Sequence, residues 1–316
     1  MRLPQPLDRI VPELGGWLPD NEPLSDCAAC VMAAPAAPQR PVFAAPARCC
    51  TYHPHLANFL VGQALERGGS GAEQIRARLR QPSGLDPSGI HPSAAHRAQQ
   101  AARPDGFGND QALACPYWVE GPQGCSIHAH RDAVCRTWFC RVGRGGTAHA
   151  AWMAARDLIR SLERAVAEAV EALPGDDWEA YFLGCWHRAQ QLDPATLRGP
   201  RTQALVDRVQ RAAAARDRPL PRCPTPRIAR WTTRPAHVEL EAWSPNDPFL
   251  APPWIFQLLA RLDGATPWSV AQRAVADELG VVVPPDLCWQ LWQRGLLAAP
   301  EEGSLSEGPI EILPPA

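Results

Sequence analysis

Eight of the eleven cysteines in this 316-residue chain stand in two tight groups, and this constrains the fold more than any other feature. The first group is Cys27 and Cys30 (CAAC) followed by the adjacent pair Cys49 and Cys50 (RCCTYHPH). The second is Cys115, Cys125, Cys135 and Cys140, in the run CPYWVEGPQGCSIHAHRDAVCRTWFC. Thiolates are soft ligands that select zinc, copper(I) or iron–sulfur clusters. A two-residue spacer lets both sulfurs turn toward one ion, and further ligands come from a distant segment. The pattern predicts a metal-binding N-terminal half with these eight cysteines as ligands.

Disulfides are the competing use of such a pattern. They dominate in short secreted chains, whereas this chain is long enough to bury cores without staples. The cysteine count is odd. The first residues, MRLPQPLDRIVPELGG, have neither the basic nor the apolar region of a secretory signal. No apolar run approaches the roughly 20 residues of a membrane span. A reducing, cytoplasmic setting is the expectation, and there the same cysteines serve metal or redox chemistry.

Charge narrows the partners. The formal net charge is −2 and the sequence pI near 6.5, so nothing in the balance attracts nucleic acid or a membrane surface. All 31 basic residues are arginine. No lysine is present to act as Schiff base, general base or phosphate clamp.

Proline and glycine break up residues 1–150, the expected cysteine-cluster domain. Within it, 54–67 and 72–80 carry helical spacing, while 31–48 and 82–111 read as inserted loops. Residues 151–222 form an expected helical extension ending in a proline-rich linker, 217–226. In it Trp152, Leu158, Leu162, Val166, Val170 and Leu173 recur at helical spacing over 148–173. Asp176 and Asp177 are candidate caps for a second helix, and a third covers about 200–216. Cys185 on the second helix reads as a buried apolar residue. Residues 223–300 are expected as a third domain. There 227–243 alternates like strands, and 252–262, 267–279 and 284–294 each open on a proline, as helices do. A short sheet with three helices is a winged-helix-like arrangement. The acidic stretch 301–316 is expected as a tail. The fold class expected for the whole is mainly α with an irregular Cys-rich module and a small C-terminal α+β domain.

Histidines stand close to the cysteines. His53 and His55 follow the CC pair, and His128 and His130 lie between Cys125 and Cys135. Imidazole is a common metal ligand beside thiolate, so the four are candidate ligands. His91, His96, His149 and His237 lack such a neighbourhood. Arg131, Arg136 and Arg141 sit where guanidinium groups would offset thiolate charge. The chain lacks the nucleophile-elbow, phosphate-loop, zincin and dinucleotide motifs.

The run Cys115-Pro116-Tyr117, Cys125-Ser126-Ile127-His128, Arg131 and Cys135-Arg136 resembles the second motif of the YkgJ-like cysteine cluster family, a zinc- or iron-chelating CxxxCxxCC family. The likeness covers about residues 27–141, with Asp132 where the family prefers proline. It implies metal binding, by zinc or an iron–sulfur cluster, and no defined reaction. A relative, the flagellin lysine-N-methylase, carries a similar cluster, so the resemblance also implies a second reading as a metal-dependent protein- or peptide-modifying enzyme. The run FQLLARLDGATPWSVAQRAVADELGVVVPPDLCWQLWQRGLL resembles a PqqD-like domain. Such domains take up a peptide at a sheet edge, which implies a peptide or protein partner. From 251 to 300 three arginines face four acids, a poor balance for DNA. A redox or metal sensor is the third reading left open.

Overall fold

A computed structural model describes residues 3, 5–14, 30, 33, 43–81, 83–121, 124–138, 145–216, 220–241 and 248–300. The protein is mainly helical, with small antiparallel sheets. It divides into two compact units, one of residues 1–140 and 151–213, the other of 141–150 and 214–316. Among the described residues no helix is long and apolar enough to cross a membrane.

The first unit opens with helix α1 (Leu7–Ile10), whose Leu7 and Ile10 are buried. Strand β1 (Leu56–Ala57) leads directly into α2 (Asn58–Arg67), followed by α3 (Gly69–Leu79). Phe59, Leu60, Val61, Ala64 and Leu65 of α2 are all buried. Gly62 is what lets α2 lie directly on a later helix, at Phe182 and Trp186. A Cβ at Gly62 would stand 2.0 Å from the carbonyl oxygen of Phe182.

The expected loop 82–111 is folded instead. Strands β2 (Leu85–Asp86) and β3 (Gly89–Ile90) form a sheet in the order β1-β3-β2. Helix α4 (Ala94–Ala101) follows, capped by Ser93, whose side chain accepts from His96 N–H. Buried Asn58 anchors the turn between β2 and β3. Its Nδ2 donates to Pro87 O at 3.0 Å and to Ala167 O at 3.1 Å. Tyr181 Oη donates to the same Pro87 carbonyl at 2.8 Å. The expected loop 31–48 lies outside the described residues except for Ala33 and 43–48.

Helix α5 (Ala133–Arg136) is a single turn in the cysteine stretch. Helix α6 (Gly145–Val170) then supplies an apolar stripe of Ala151, Ala155, Leu158, Ile159, Leu162, Val166 and Val170. It ends three residues short of the expected Leu173, which is 96% exposed. Leu173 precedes Pro174, whose ring disfavours helical backbone in the residue before it. Of the two candidate caps, Asp177 opens α7 (Trp178–Gln191), accepting from Ala180 N–H at 3.1 Å. Helix α8 (Pro200–Arg216) buries Val206 and Val209 in the same core. Cys185 of α7 is buried in that core as well.

The second unit has its own core. Strand β4 (Thr225–Pro226) lies within the proline-rich stretch and pairs with β8 (Leu297–Ala298). Strands β5 (Arg230–Thr233), β6 (Val238–Glu241) and β7 (Phe249–Ala251) form an antiparallel sheet in that order. Helices α9 (Ile255–Leu259), α10 (Trp268–Leu279) and α11 (Leu287–Gln293) bury Ile255, Leu258, Val275 and Leu291 with Val238 and Leu240. Gly280 ends α10 in the left-handed conformation at φ +62°.

Candidate functional site

Cys27 and Cys140 lie outside the described residues. Of the other six expected ligands, the structure draws Cys49, Cys50, Cys115, Cys125 and Cys135 into one neighbourhood from three segments. Cys49 and Cys50 share a 3₁₀ turn, Arg48–Thr51. Cys115 N–H donates to Cys50 O at 2.7 Å, which ties the two cysteine groups together through the backbone. Cys50 Sγ reaches Gly124 O at 3.9 Å. Trp118 and Cys125 form an isolated antiparallel bridge, with Ser126 N–H donating to Tyr117 O at 2.9 Å. Cys115 and Cys125 therefore lie at one short antiparallel pairing. Helix α3 lets that pairing approach, because a Cβ at Gly71 would stand 2.6 Å from Ser126 O. Cys30 enters none of these bonds; its carbonyl accepts from Ala33 N–H.

The sulfurs share an electrostatic field. Burial pushes the Cys115 thiol up, and charge on Cys50 or Cys125 pushes it further. Burial also raises Cys135, followed by Asp132 and then Cys115. Cys50 moves the other way: a hydrogen bond with Cys49 holds its thiol down, and Arg131 adds to that against the effect of burial. The donor set suits a thiophilic ion in chemistry, with sulfur ligands and guanidinium groups side by side. Among the described residues, however, no three His, Cys, Asp or Glu side chains are arranged to hold one metal ion.

Two buried carboxylates share this field: Asp132, which stands within the cysteine motif, and Glu163, which lies outside it. Asp132 takes the N-cap of α5, and its Oδ1 accepts from Cys135 N–H at 2.9 Å. An N-cap aspartate satisfies an otherwise unpaired N–H of the helix's first turn. Glu163 reaches across from α6, and its Oε2 accepts from Ala133 N–H at 3.0 Å. Burial first, and Asp132 second, push its carboxyl up to about 8. The Tyr52 hydroxyl lies in the same field, raised by burial and then by Asp132, Cys135 and Glu163. The sequence did hold a signal for Glu163. It shares a register with Ile159, Val166 and Val170, a face that is otherwise buried and apolar.

The four candidate histidines separate. The His53 ring stacks on His96 at 3.3 Å, and His53 Nε2 sits 2.9 Å from Ala114 O. The His55 ring stacks on His91 at 4.0 Å. His91 in turn pairs with Asp86 at 2.8 Å. His91 and His96 were thus set aside in the sequence but prove to be ring partners here. His130 Nδ1 lies 3.0 Å from Gln63 Oε1, and its Nε2 is buried with no hydrogen-bond partner among the described residues. His128 is exposed, and burial of its ring followed by Arg131 and Arg136 holds its pKa down.

Outside this site, Cys223 Sγ lies 3.2 Å from Ala265 O, and Cys288 is buried in the core of the second unit. No family model matches the chain, and no curated protein or solved structure matches it either.

Proposed function

We propose that this protein is a cytoplasmic cysteine-cluster protein of the YkgJ-like kind, binding an iron–sulfur cluster or zinc through its N-terminal unit. The observation that carries the reading is the Cys115 N–H to Cys50 O bond, which brings the two cysteine groups of the sequence to one place. The ligands are drawn from Cys49, Cys50, Cys115, Cys125 and Cys135, with Cys27, Cys30 and Cys140 completing the set. Bound there, zinc would supply a structural cross-link or a Lewis acid, and a cluster would supply a one-electron centre. The chain's own contribution is to hold the sulfurs on a 3₁₀ turn, a short antiparallel pairing and a one-turn helix, with Arg131 and Arg136 beside them to offset thiolate charge.

The second unit is read as a PqqD-like, winged-helix-like module that recruits a peptide or protein. The support is β5, which among the described residues pairs with β6 on one side only and exposes Arg230, Trp231 and Thr233. Trp231 is 44% exposed and leans edge-on against Phe256 at 6.0 Å. An edge strand with an aromatic beside it is a ready seat for an extended chain.

Anaerobic purification followed by elemental analysis and a visible spectrum tests the metal reading. Iron with labile sulfide and sulfur-to-iron absorption supports a cluster, and stoichiometric zinc in a colourless protein supports a zinc centre. Protein that emerges metal-free and takes up neither ion overturns the reading.

A further inference from the structure

We propose that Glu163, well outside the cysteine stretch, is a positioning residue for Cys135. The inference rests on the reading of the cysteines as one centre and names what holds one of its sulfurs in place.

Helix α5 is a single turn, so nearly all its N–H groups lack partners within the helix. Two carboxylates supply acceptors. Asp132 takes Cys135 N–H at 2.9 Å, and Glu163 takes Ala133 N–H at 3.0 Å. Thr137 Oγ1 closes the far end on Ala133 O at 2.6 Å. Arg136 Nη2 clamps the preceding strand of chain through Ala129 O at 3.0 Å and Arg131 O at 2.8 Å. Local residues make every one of these bonds except that of Glu163, which comes from a different helix. It ties the Cys135 turn to α6, beside the packing of Ala133 in the core.

A carboxyl buried on an apolar helix face is costly unless it is hydrogen-bonded. Glu163 is 7% exposed, and its second oxygen, Oε1, is buried with no hydrogen-bond partner among the described residues. The hydrogen bond it does make goes to the first residue of the Cys135 helix. A partner that orients a ligand from behind is the ordinary support of a metal site.

The test uses the full chain with Glu163→Ala, Glu163→Asp and Glu163→Gln. One readout is the rate at which each cysteine of the metal-free protein reacts with iodoacetamide, resolved by mass spectrometry. The other is a titration with Co(II) alone, read in the thiolate-to-cobalt charge-transfer band. Glu163→Ala and Glu163→Asp remove or withdraw the acceptor. They are expected to speed alkylation of Cys135 several-fold while the buried Cys185 and Cys288 stay slow. They should also weaken Co(II) binding about tenfold and reduce the band to that of Cys135→Ser. Glu163→Gln keeps an acceptor oxygen and is expected to retain wild-type behaviour in both readouts. If Glu163→Ala fails to fold, the contrast between the Asp and Gln variants decides. Cys135 alkylation at the wild-type rate in Glu163→Asp overturns the proposal, and so does Cys185 speeding in step with Cys135. A wild-type chain with no charge-transfer band would overturn the metal reading, and the alkylation rates would still decide the role of Glu163.

Discussion

Gly62 on α2 packs against Phe182 on α7 with no room for a side chain: a Cβ would stand 2.0 Å from the Phe182 carbonyl oxygen and 2.7 Å from Trp186 Cβ. The contact joins the helix that leads out of the CC pair to the helical layer behind it. Glycine at 62 is therefore a requirement of packing and not of backbone conformation.

Gly62→Ala is expected to destabilise the protein by about 2–3 kcal/mol, the cost of overpacking a filled interface. Gly175→Ala, where a Cβ meets nothing within 4 Å, is the control and should be near neutral. Urea unfolding of both variants checks the pair, and equal midpoints would mean that the helices separate freely.

Asn58→Ala should cost about 2 kcal/mol, because it leaves the carbonyls of Pro87 and Ala167 without the amide that serves both. Tyr181→Phe removes a second donor from Pro87 O. The double variant should lose more than the sum of the singles, because only it takes both donors from the Pro87 carbonyl. Thermal unfolding reads all three.

Stability should fall as pH drops from about 6.5 to about 4. Burial, with a stacked neighbour second, pushes both His53 and His55 down to about 4. Burial followed by Arg67 does the same for His130. In that window the unfolded chain binds protons that the folded one refuses, so stability present above the window is lost within it. His53 is half-buried and His55 exposed, so solvent screening holds each of these two to on the order of 1 kcal/mol. Denaturant unfolding at several pH values checks the slope. His53→Phe keeps a ring against His96 and should flatten it.

Glu163 works in the opposite direction. Its folded-state carboxyl is raised to about 8, so the folded metal-free protein holds a proton there that the unfolded chain releases. Its contribution is whole below the ordinary carboxylate range and is lost as pH rises through about 8. Glu163→Gln should remove that loss and gain on the order of 3 kcal/mol relative to wild type between about pH 5 and about pH 8. Parallel pH profiles for the two proteins would contradict it.

The helices of both units were legible where apolar residues recur every three to four positions, as along Leu158, Leu162 and Val166 of α6. Helix α4 was not, because prolines and glycines crowd 82–111. The residue that caps it, Ser93, was followed only by alanines and polar residues, with no large apolar side chain to draw attention. The two cysteine clusters were legible as clusters, but the backbone bond that joins Cys50 to Cys115 was not. The ring partners of His53 and His55 could not, because His96 and His91 reach them only through the fold of β2, β3 and α4. Glu163 stood in plain view as a charge in an apolar register. It looked like any other glutamate of an Arg- and Glu-rich helix until its acceptor role at Ala133 was seen.

The measurement that tests the account most directly is metal content per chain across single Cys→Ser variants, each purified anaerobically beside wild type. The account predicts that wild type carries stoichiometric iron or zinc. Loss of Cys50, Cys115 or Cys135 should abolish or sharply lower that content, and Cys185→Ser and Cys288→Ser should leave it unchanged. Equal metal content in all five variants, or none in wild type, would contradict the claim that the two cysteine groups form one centre.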